Sequence, residues 1–177
     1  ARDRGADGGG AAGTALVVHN DAFFVNYTKW SSSFFPGANG GGVPSTNFGQ
    51  SYIRAAVTPN VAGFDIVAGG GMESGTSYGN KAAVEVESKQ TFVDLQAHGE
   101  LAGMESGIYA QYASAPKCTT AGVTCAHNTG SLDRTAFTIG AEMSVIPHTV
   151  IVSAAYRGAN SGSPETAGSV VSKTDNA

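Results

Sequence analysis

The chain has 177 residues, of which 41% are hydrophobic and only 14% are charged, and its formal net charge is −4. The charged fraction lies well below the quarter that is usual for soluble domains, and the ten basic residues form no stripe that would indicate a nucleic-acid surface. Twenty-five glycines favour β structure with long loops over a helical bundle, and the absence of an apolar run of about 18 residues argues against a transmembrane helix.

In chain order, the sequence alternates between apolar and polar residues in eight segments, and a period of two indicates β-strands. A Gly-rich segment, residues 1–13, precedes them and is expected to be flexible. The strands are predicted at residues 14–18, 22–30, 51–58, 64–72, 82–101, 108–114, 134–145 and 149–157. A Gly/Ser-rich loop or tail, residues 159–177, follows. The predicted fold is all-β, an antiparallel up-and-down meander of about eight strands over residues 14–158.

The longest alternating stretch, Thr91 to Ser114, is predicted to form two strands joined by a short turn at residues 102–107. In its first strand, the even positions are polar or aromatic and the odd positions are mostly small or apolar. The even positions are Phe92, Asp94, Gln96, His98 and Glu100, and the odd positions are Thr91, Val93, Leu95, Ala97, Gly99 and Leu101. The polar face of such a hairpin meets water in a soluble sheet and the lumen in a transmembrane barrel.

The pattern changes just before this hairpin, because Glu85, Glu87 and Lys89 share the parity of the apolar residues Val93 and Leu95. One explanation is a β-bulge near residue 90, which would move the charged residues to the other face. The other is that the charged part of the strand projects beyond an apolar belt.

The predicted connections alternate in length along the whole meander. Short turns follow residues 18, 58, 101 and 145, and long loops follow residues 30, 72, 114 and 157. In an up-and-down meander, this order places all short turns at one end of the sheet and all long loops at the other. Bacterial outer-membrane barrels have this asymmetry, with short periplasmic turns and longer extracellular loops. Strands of about nine to eleven residues also fit a tilted crossing of a bilayer.

Four segments resemble consecutive hairpins of porin-like outer-membrane proteins of proteobacteria. They are ALVVHNDAFFVNYTKW, SYIRAAVTP, DLQAHGELAGMESGIYAQYASAPK and DRTAFTIGAEMSVIPHTVIVSAAYR, and the resemblance extends over residues 15–158. It is a resemblance of strand texture and contains no catalytic motif. It implies a β-barrel in the bacterial outer membrane that passes small solutes or ions through its lumen, without a cofactor. The implied partners are the lipid bilayer and the solutes, with a homo-oligomer or a barrel-enclosed partner as further options.

The two ends of the chain depart from that family. Porin-like barrels usually end on a membrane strand with a C-terminal aromatic residue, whereas this chain ends KTDNA, and both of its ends fall on the long-loop side. Residues 1–13 also lack the apolar stretch of a signal peptide. These features favour an interior section of a longer barrel with further strands at both ends. The alternative is an eight-stranded barrel or a β fold of its own.

Charged and polar residues of the predicted strands are expected to line the lumen. They are Arg54, Asp65, Asp94, Gln96, His98, Glu100, Glu142 and Arg157, and their four carboxylates and two arginines form a mixed-charge, slightly acidic set. Opposed charges across a narrow pore bias its ion selectivity. The alternative is a solvated sheet face, or internal salt bridges that fill a narrow barrel.

Six aromatic residues near the predicted strand ends are expected to form girdles at the membrane interface. They are Phe23, Tyr27, Trp30, Tyr109, Tyr112 and Tyr156. Amphipathic rings prefer that interface. The alternative is ordinary packing by residues of high β propensity.

Cys118 and Cys125 bracket CTTAGVTC in a predicted loop, which favours a local disulfide in an oxidising compartment over two free thiols. A zinc site is not predicted, because His127 is the only further ligand type nearby. No catalytic residues are predicted either, since hydrolase, zincin, P-loop and dinucleotide-binding motifs are absent. The chain is therefore not expected to be an enzyme. The alternative to a porin-like barrel is a secreted, extracellular β-rich structural protein, such as a fibre, matrix or adhesin-like subunit.

Overall fold

The computed structural model describes residues 12–31, 48–78, 85–119, 123–147 and 149–163, and within them every regular element is a β-strand. The strands are β1 (Ala12–His19), β2 (Phe23–Ser31), β3 (Gln50–Val57), β4 (Asn60–Val61), β5 (Phe64–Tyr78), β6 (Glu85–Leu101), β7 (Met104–Ala115), β8 (Val123–Cys125), β9 (Arg134–Ile146) and β10 (Val150–Ala159). In this part of the chain, no helix is long and apolar enough to cross a membrane.

The eight long strands form one sheet in the order β1-β2-β3-β5-β6-β7-β9-β10, in which each strand pairs antiparallel with its neighbours. The short strand β4 pairs with β5, and β8 runs parallel to the start of β6. The predicted all-β antiparallel meander is thus confirmed. The sheet is open, with β1 and β10 as its two edges.

The predicted ends of the meander lie partly outside the described residues. Of the Gly-rich segment predicted at residues 1–13, Ala12 and Gly13 are described, and both belong to β1. Of the tail predicted at residues 159–177, Ala159 ends β10, and the description stops at Ser163.

The strands keep one register over nearly their whole length. Strand β6 pairs with β5 from Asp65↔His98 to Tyr78↔Glu85 without a shift, so the bulge considered near residue 90 is not present. The charged start of β6 instead continues the strand, as the second explanation requires. The sheet has its register shift at the edge, between Val150 and Ile151.

Two of the short turns are two-residue hairpins built from the dipeptide Ala-Gly. Ala62 and Gly63 have φ values of 52° and 83°, and Ala102 and Gly103 have 53° and 79°. Positive φ at both central residues is the type I′ geometry, whose twist matches that of the flanking strands. The turn predicted at residues 102–107 is therefore too long, since β7 begins at Met104, which pairs with Leu101.

The sheet has two chemically different faces. Directly paired residues share a face, so the register assigns one side to the odd residues 91–101 of β6 and their partners; we call it the apolar face. Its exposed large side chains include Leu16, Val18, Phe23, Tyr27, Ile53, Val57, Met72, Val93, Leu95, Leu101, Ile108, Tyr112, Phe137, Ile139, Val152 and Tyr156. The opposite side, which carries Asp94 and its partners, is the polar face.

Within the described residues, no hydrophobic core covers the apolar face. Among the described residues, the buried hydrophobic side chains are Ala56 and Ala115, whereas Val93 is 58% and Ile139 51% exposed. The main contacts between elements join strands that are neighbours in the sheet. The described part of the chain is therefore a single layer whose apolar side has no partner within it.

Candidate functional site

The polar face brings together all eight residues that the sequence predicts to line a lumen. The register pairs Asp65 with His98, and His98 with Gly107, which in turn pairs with Glu142. Arg54 and Arg157 lie on the same face as Asp94, because directly paired residues share a face and each arginine is linked to Asp94 through paired residues of the intervening strands.

Arg54 and Asp94 form an ion pair that crosses β5. The Arg54 Nη2 atom donates to Asp94 Oδ2 at 2.5 Å, and the guanidinium lies 5.3 Å from the centre of the Phe24 ring. The Asp94 side chain is only 8% exposed and that of Arg54 28%. Gly69 and Gly71 occupy the face between the two strands, so no side chain separates the partners. The aspartate charge is thereby compensated in an enclosed position.

A groove of about 420 Å³ opens beside this ion pair. Phe92 and Tyr109 flank it, while Gln96 and Gln111 present exposed amide groups to it. Asp94 is paired directly with Gln111, and Gln96 with Tyr109. The groove thus combines two aromatic rings with neutral groups that both donate and accept hydrogen bonds.

Carboxylates collect at the short-turn end of the polar face. Glu100 and Glu105 are direct cross-strand partners. Asp65 and Glu142 align across the sheet with His98, which precedes Glu100 by two residues on the same face of β6. Asn60 Nδ2 donates to Asp65 Oδ1 at 2.8 Å. None of the four carboxylates forms an ion pair within the described residues. Glu105 is absent from the predicted set because it falls in the overlong predicted turn.

At the other end of the face, the described residues of segment 116–133, namely 116–119 and 123–133, fold back against the sheet, where β8 pairs with β6 and Ala126 N donates to the Glu87 carbonyl oxygen. Cys118 and Cys125 are joined by a disulfide, with 5.9 Å between their Cα atoms. Strand β8 within this segment extends the sheet along β6, beyond the point where β7 ends. The buried Asn128 donates to the carbonyl oxygens of Ala115, Pro116 and Leu132, which fixes the segment to the end of β7.

This segment also places His127 against Glu73, a contact that the sequence does not reveal. His127 Nε2 lies 3.2 Å from Glu73 Oε2, and Gln90 Nε2 donates to the same oxygen at 2.9 Å. Glu73 follows Met72, the last apolar residue on the apolar face of β5, and is only 5% exposed. Burial on its own would raise the pKa of Glu73, but the contact and charge of His127, with hydrogen bonds from Gln90 and Ser88, lower that pKa below its ordinary value.

The predicted aromatic girdle is divided between the two faces. Phe23, Tyr27, Tyr112 and Tyr156 lie on the apolar face, whereas Trp30 and Tyr109 lie on the polar face, and a position at a membrane interface stays a prediction for all six. Trp30 pairs with Gln50 on the side of Arg54. Tyr109 is not at a strand end, because β7 begins five residues earlier at Met104, and its ring lies over Gly140.

Among the described residues, no group of three or more histidine, cysteine, aspartate or glutamate side chains is arranged to hold a metal ion. Comparison of the chain with protein-family models, with curated proteins and with solved structures finds no match.

Proposed function

We propose that the chain forms part or all of a porin-like β-barrel in a bacterial outer membrane, which allows passive passage of small solutes or ions. One observation carries this proposal. A whole sheet face of large apolar side chains is exposed, while the described residues bury almost no hydrophobic side chain. Soluble monomers rarely expose a contiguous apolar surface of this kind, whereas lipid would cover it without cost.

The dimensions of the apolar face support the proposal. On the long-loop side it ends at a row of polar residues that are paired from strand to strand, namely Thr14, Lys29, Ser51, Ser74 and Lys89. From Thr91 to Leu101, β6 advances ten residues, or about 33 Å at about 3.3 Å per residue. A tilt of about 40° reduces this to about 25 Å, the height of the apolar band of outer-membrane barrels.

The polar face is, in this proposal, the wall of the lumen. It carries carboxylates, arginines, amides and glycines, and its charge is mixed. Such a wall is compatible with water and dissolved solutes, and its charges bias the choice between ions. Closure of the barrel requires either that β1 pairs with β10 or that further strands extend both edges.

The two open edges favour a second candidate, a secreted β-rich structural protein. Every described side chain of β1 and nearly every one of β10 is exposed, and an unpaired edge invites strand addition by another chain. In that case the apolar faces of neighbouring molecules would pack together in a fibre or matrix.

Extraction with and without detergent, followed by planar-bilayer recording, tests the proposal. A porin-like barrel is expected to require detergent for solubility and to give discrete conductance steps. A chain that is a monodisperse monomer without detergent and gives no conductance would refute it. Fibres or sheets in electron micrographs of detergent-free material would support the structural protein instead.

A further inference from the structure

We propose that the groove flanked by Phe92 and Tyr109 is a binding site for a neutral saccharide ring. The inference rests on the proposed function, because the groove lies on the face that would line the solute path. It adds a solute class to that function.

The two rings are held apart by the glycines over which they lie. Phe92 leans toward β5, where a Cβ added to Gly71 would approach Phe92 Cζ to 2.7 Å, and its ring stacks on Tyr52 at 6.2 Å. Tyr109 leans the other way, over Gly140 of β9. The groove therefore has one aromatic ring toward each end, because Tyr109 pairs with Gln96, four positions or about 13 Å along β6 from Phe92, and a single sugar ring would stack on one of the two. The C–H faces of a pyranose ring are apolar and flat enough to bury against such surfaces.

The floor between the rings carries groups that match hydroxyls. Gln96 and Gln111 are exposed and lie on adjacent strands, where Gln111 is the direct partner of Asp94. Each amide offers both a donor and an acceptor, as each sugar hydroxyl does. A pair of amides can thus bind neighbouring hydroxyls in either direction of hydrogen bonding.

The charges at the groove favour a neutral ligand. The acidic and basic residues that line it are Arg54, Asp94 and His98, and the charges of Arg54 and Asp94 compensate each other at 2.5 Å. The Asp94 Oδ1 and Arg54 Nε atoms are buried and have no hydrogen-bond partner among the described residues, so a solute in the groove meets the exposed amides of Gln96 and Gln111 rather than these two atoms. A charged ligand would gain little electrostatic attraction from an ion pair whose net charge is zero, and it would lose part of its hydration on entering the groove.

The size of the groove sets the range of ligands. At about 420 Å³ it lies toward the small end of small-molecule sites, which suits one or two sugar rings. Acyclic polyols have the same hydroxyls but no rigid ring face, so they are expected to bind more weakly.

Single-channel recording on the full chain in planar bilayers tests the inference, with D-glucose and maltose as probes and mannitol as the acyclic control. The sugars are expected to reduce the ion current with saturable concentration dependence, and mannitol to reduce it at least about tenfold more weakly. Gln111→Leu should weaken the sugar effect about tenfold through loss of hydrogen bonds to hydroxyls. Ser153→Ala, on the polar face of β10 outside the groove, should leave the sugar effect unchanged.

The failure of this inference is distinguishable from that of the proposed function. Open channels whose current responds equally to glucose and mannitol, or not at all, would overturn saccharide binding and leave the porin-like function standing. If no channel forms, the proposed function fails, and isothermal titration of glucose and mannitol into the purified chain decides the inference. Saturable heat with glucose that Gln111→Leu abolishes supports the site, and equal or absent heats refute it.

Discussion

Single residues tie the polar face together through contacts that cross intervening strands. Arg54 on β3 reaches Asp94 on β6, and His127 in the segment after β7 reaches Glu73 on β5. In both pairs one carboxylate is almost fully enclosed. Removing one partner of an enclosed ion pair lowers the free energy of unfolding several times more than removing one partner of an exposed pair. Single substitutions in these two contacts should therefore have large effects on stability.

Replacement of Arg54 by methionine should destabilise the fold by about 2 kcal/mol, because it leaves Asp94 enclosed without its counter-charge. The double variant Arg54→Met with Asp94→Asn should recover part of that loss, which a double-mutant cycle in urea would measure. Arg157→Met is the matched control, an arginine of the same face with an exposed side chain and no ion pair among the described residues. Equal effects of the two single substitutions would contradict the importance of the pair.

The lowered pKa of Glu73 predicts a specific loss of stability in acid. A carboxyl whose folded pKa is depressed stabilises the fold fully above its unfolded pKa, here the ordinary value of 4.5, and loses this contribution as the pH falls through the folded pKa. Stability measured by urea unfolding should therefore decrease below about pH 4.5. In Glu73→Gln that decrease should be smaller and stability at neutral pH lower. A variant with an unchanged acid profile would show that the contact with His127 has no energetic role.

At the scale of the element, β6 shows how one strand serves two environments. Its odd residues from Thr91 to Leu101 lie on the apolar face and its even residues on the polar face, without a register shift along the pairing with β5. Before Thr91 the same strand carries the charged residues Glu85, Glu87 and Lys89 on the side of the apolar face and the uncharged Val86, Ser88 and Gln90 on the other. Strand β6 therefore crosses the apolar belt and continues past it, where β8 takes the place of β7 as its neighbour.

Arginine substitutions at adjacent positions of β6 separate a lipid-covered face from a solvated one. Leu95 and Gln96 are both exposed in the sheet, on opposite faces. If lipid covers the apolar face, Leu95→Arg should cost about 2–4 kcal/mol and Gln96→Arg under about 1 kcal/mol, as measured by unfolding in lipid vesicles. In a soluble sheet both substitutions would be tolerated equally, and that outcome would exclude the membrane proposal.

At the scale of the whole molecule, charge is distributed unevenly along the polar face. The short-turn end carries Asp65, Glu100, Glu105 and Glu142 without an ion pair among the described residues. Arg54 in the middle is compensated by Asp94. If the face lines a pore, cations should therefore be favoured over anions at the short-turn mouth.

Reversal potentials in a salt gradient test this preference. The channel is expected to be cation-selective at low ionic strength and less so near about 1 M salt, where the screening length falls to about 3 Å. Glu100→Gln together with Glu105→Gln should reduce the selectivity. Glu85→Gln changes charge on the apolar side of the strand, beyond the belt, and should leave it nearly unchanged. Anion selectivity in the parent protein would contradict the prediction.

Local pattern was sufficient for much of the fold but not for all of its details. The period of two identified the eight long strands and assigned Arg54, Asp94, Glu142 and the other predicted polar residues to one face. The strand prediction failed at residues 104–107, whose composition is typical of a turn but which form the beginning of β7. That error displaced Tyr109 to a strand end and removed Glu105 from the acidic group, although the parity of both residues was visible.

The sequence by itself determined the strand class, the meander order and the separation of apolar from polar residues, because alternation and turn chemistry act between residues close in the chain. Only the tertiary structure decided which polar residues meet. Arg54 and Asp94 are 40 residues apart and Glu73 and His127 are 54 apart, and their contacts depend on cross-strand register and on the path of segment 116–133. The groove between Phe92 and Tyr109 likewise exists because glycines on β5 and β9 let the two rings lean apart, which is a relation between strands that no single strand encodes.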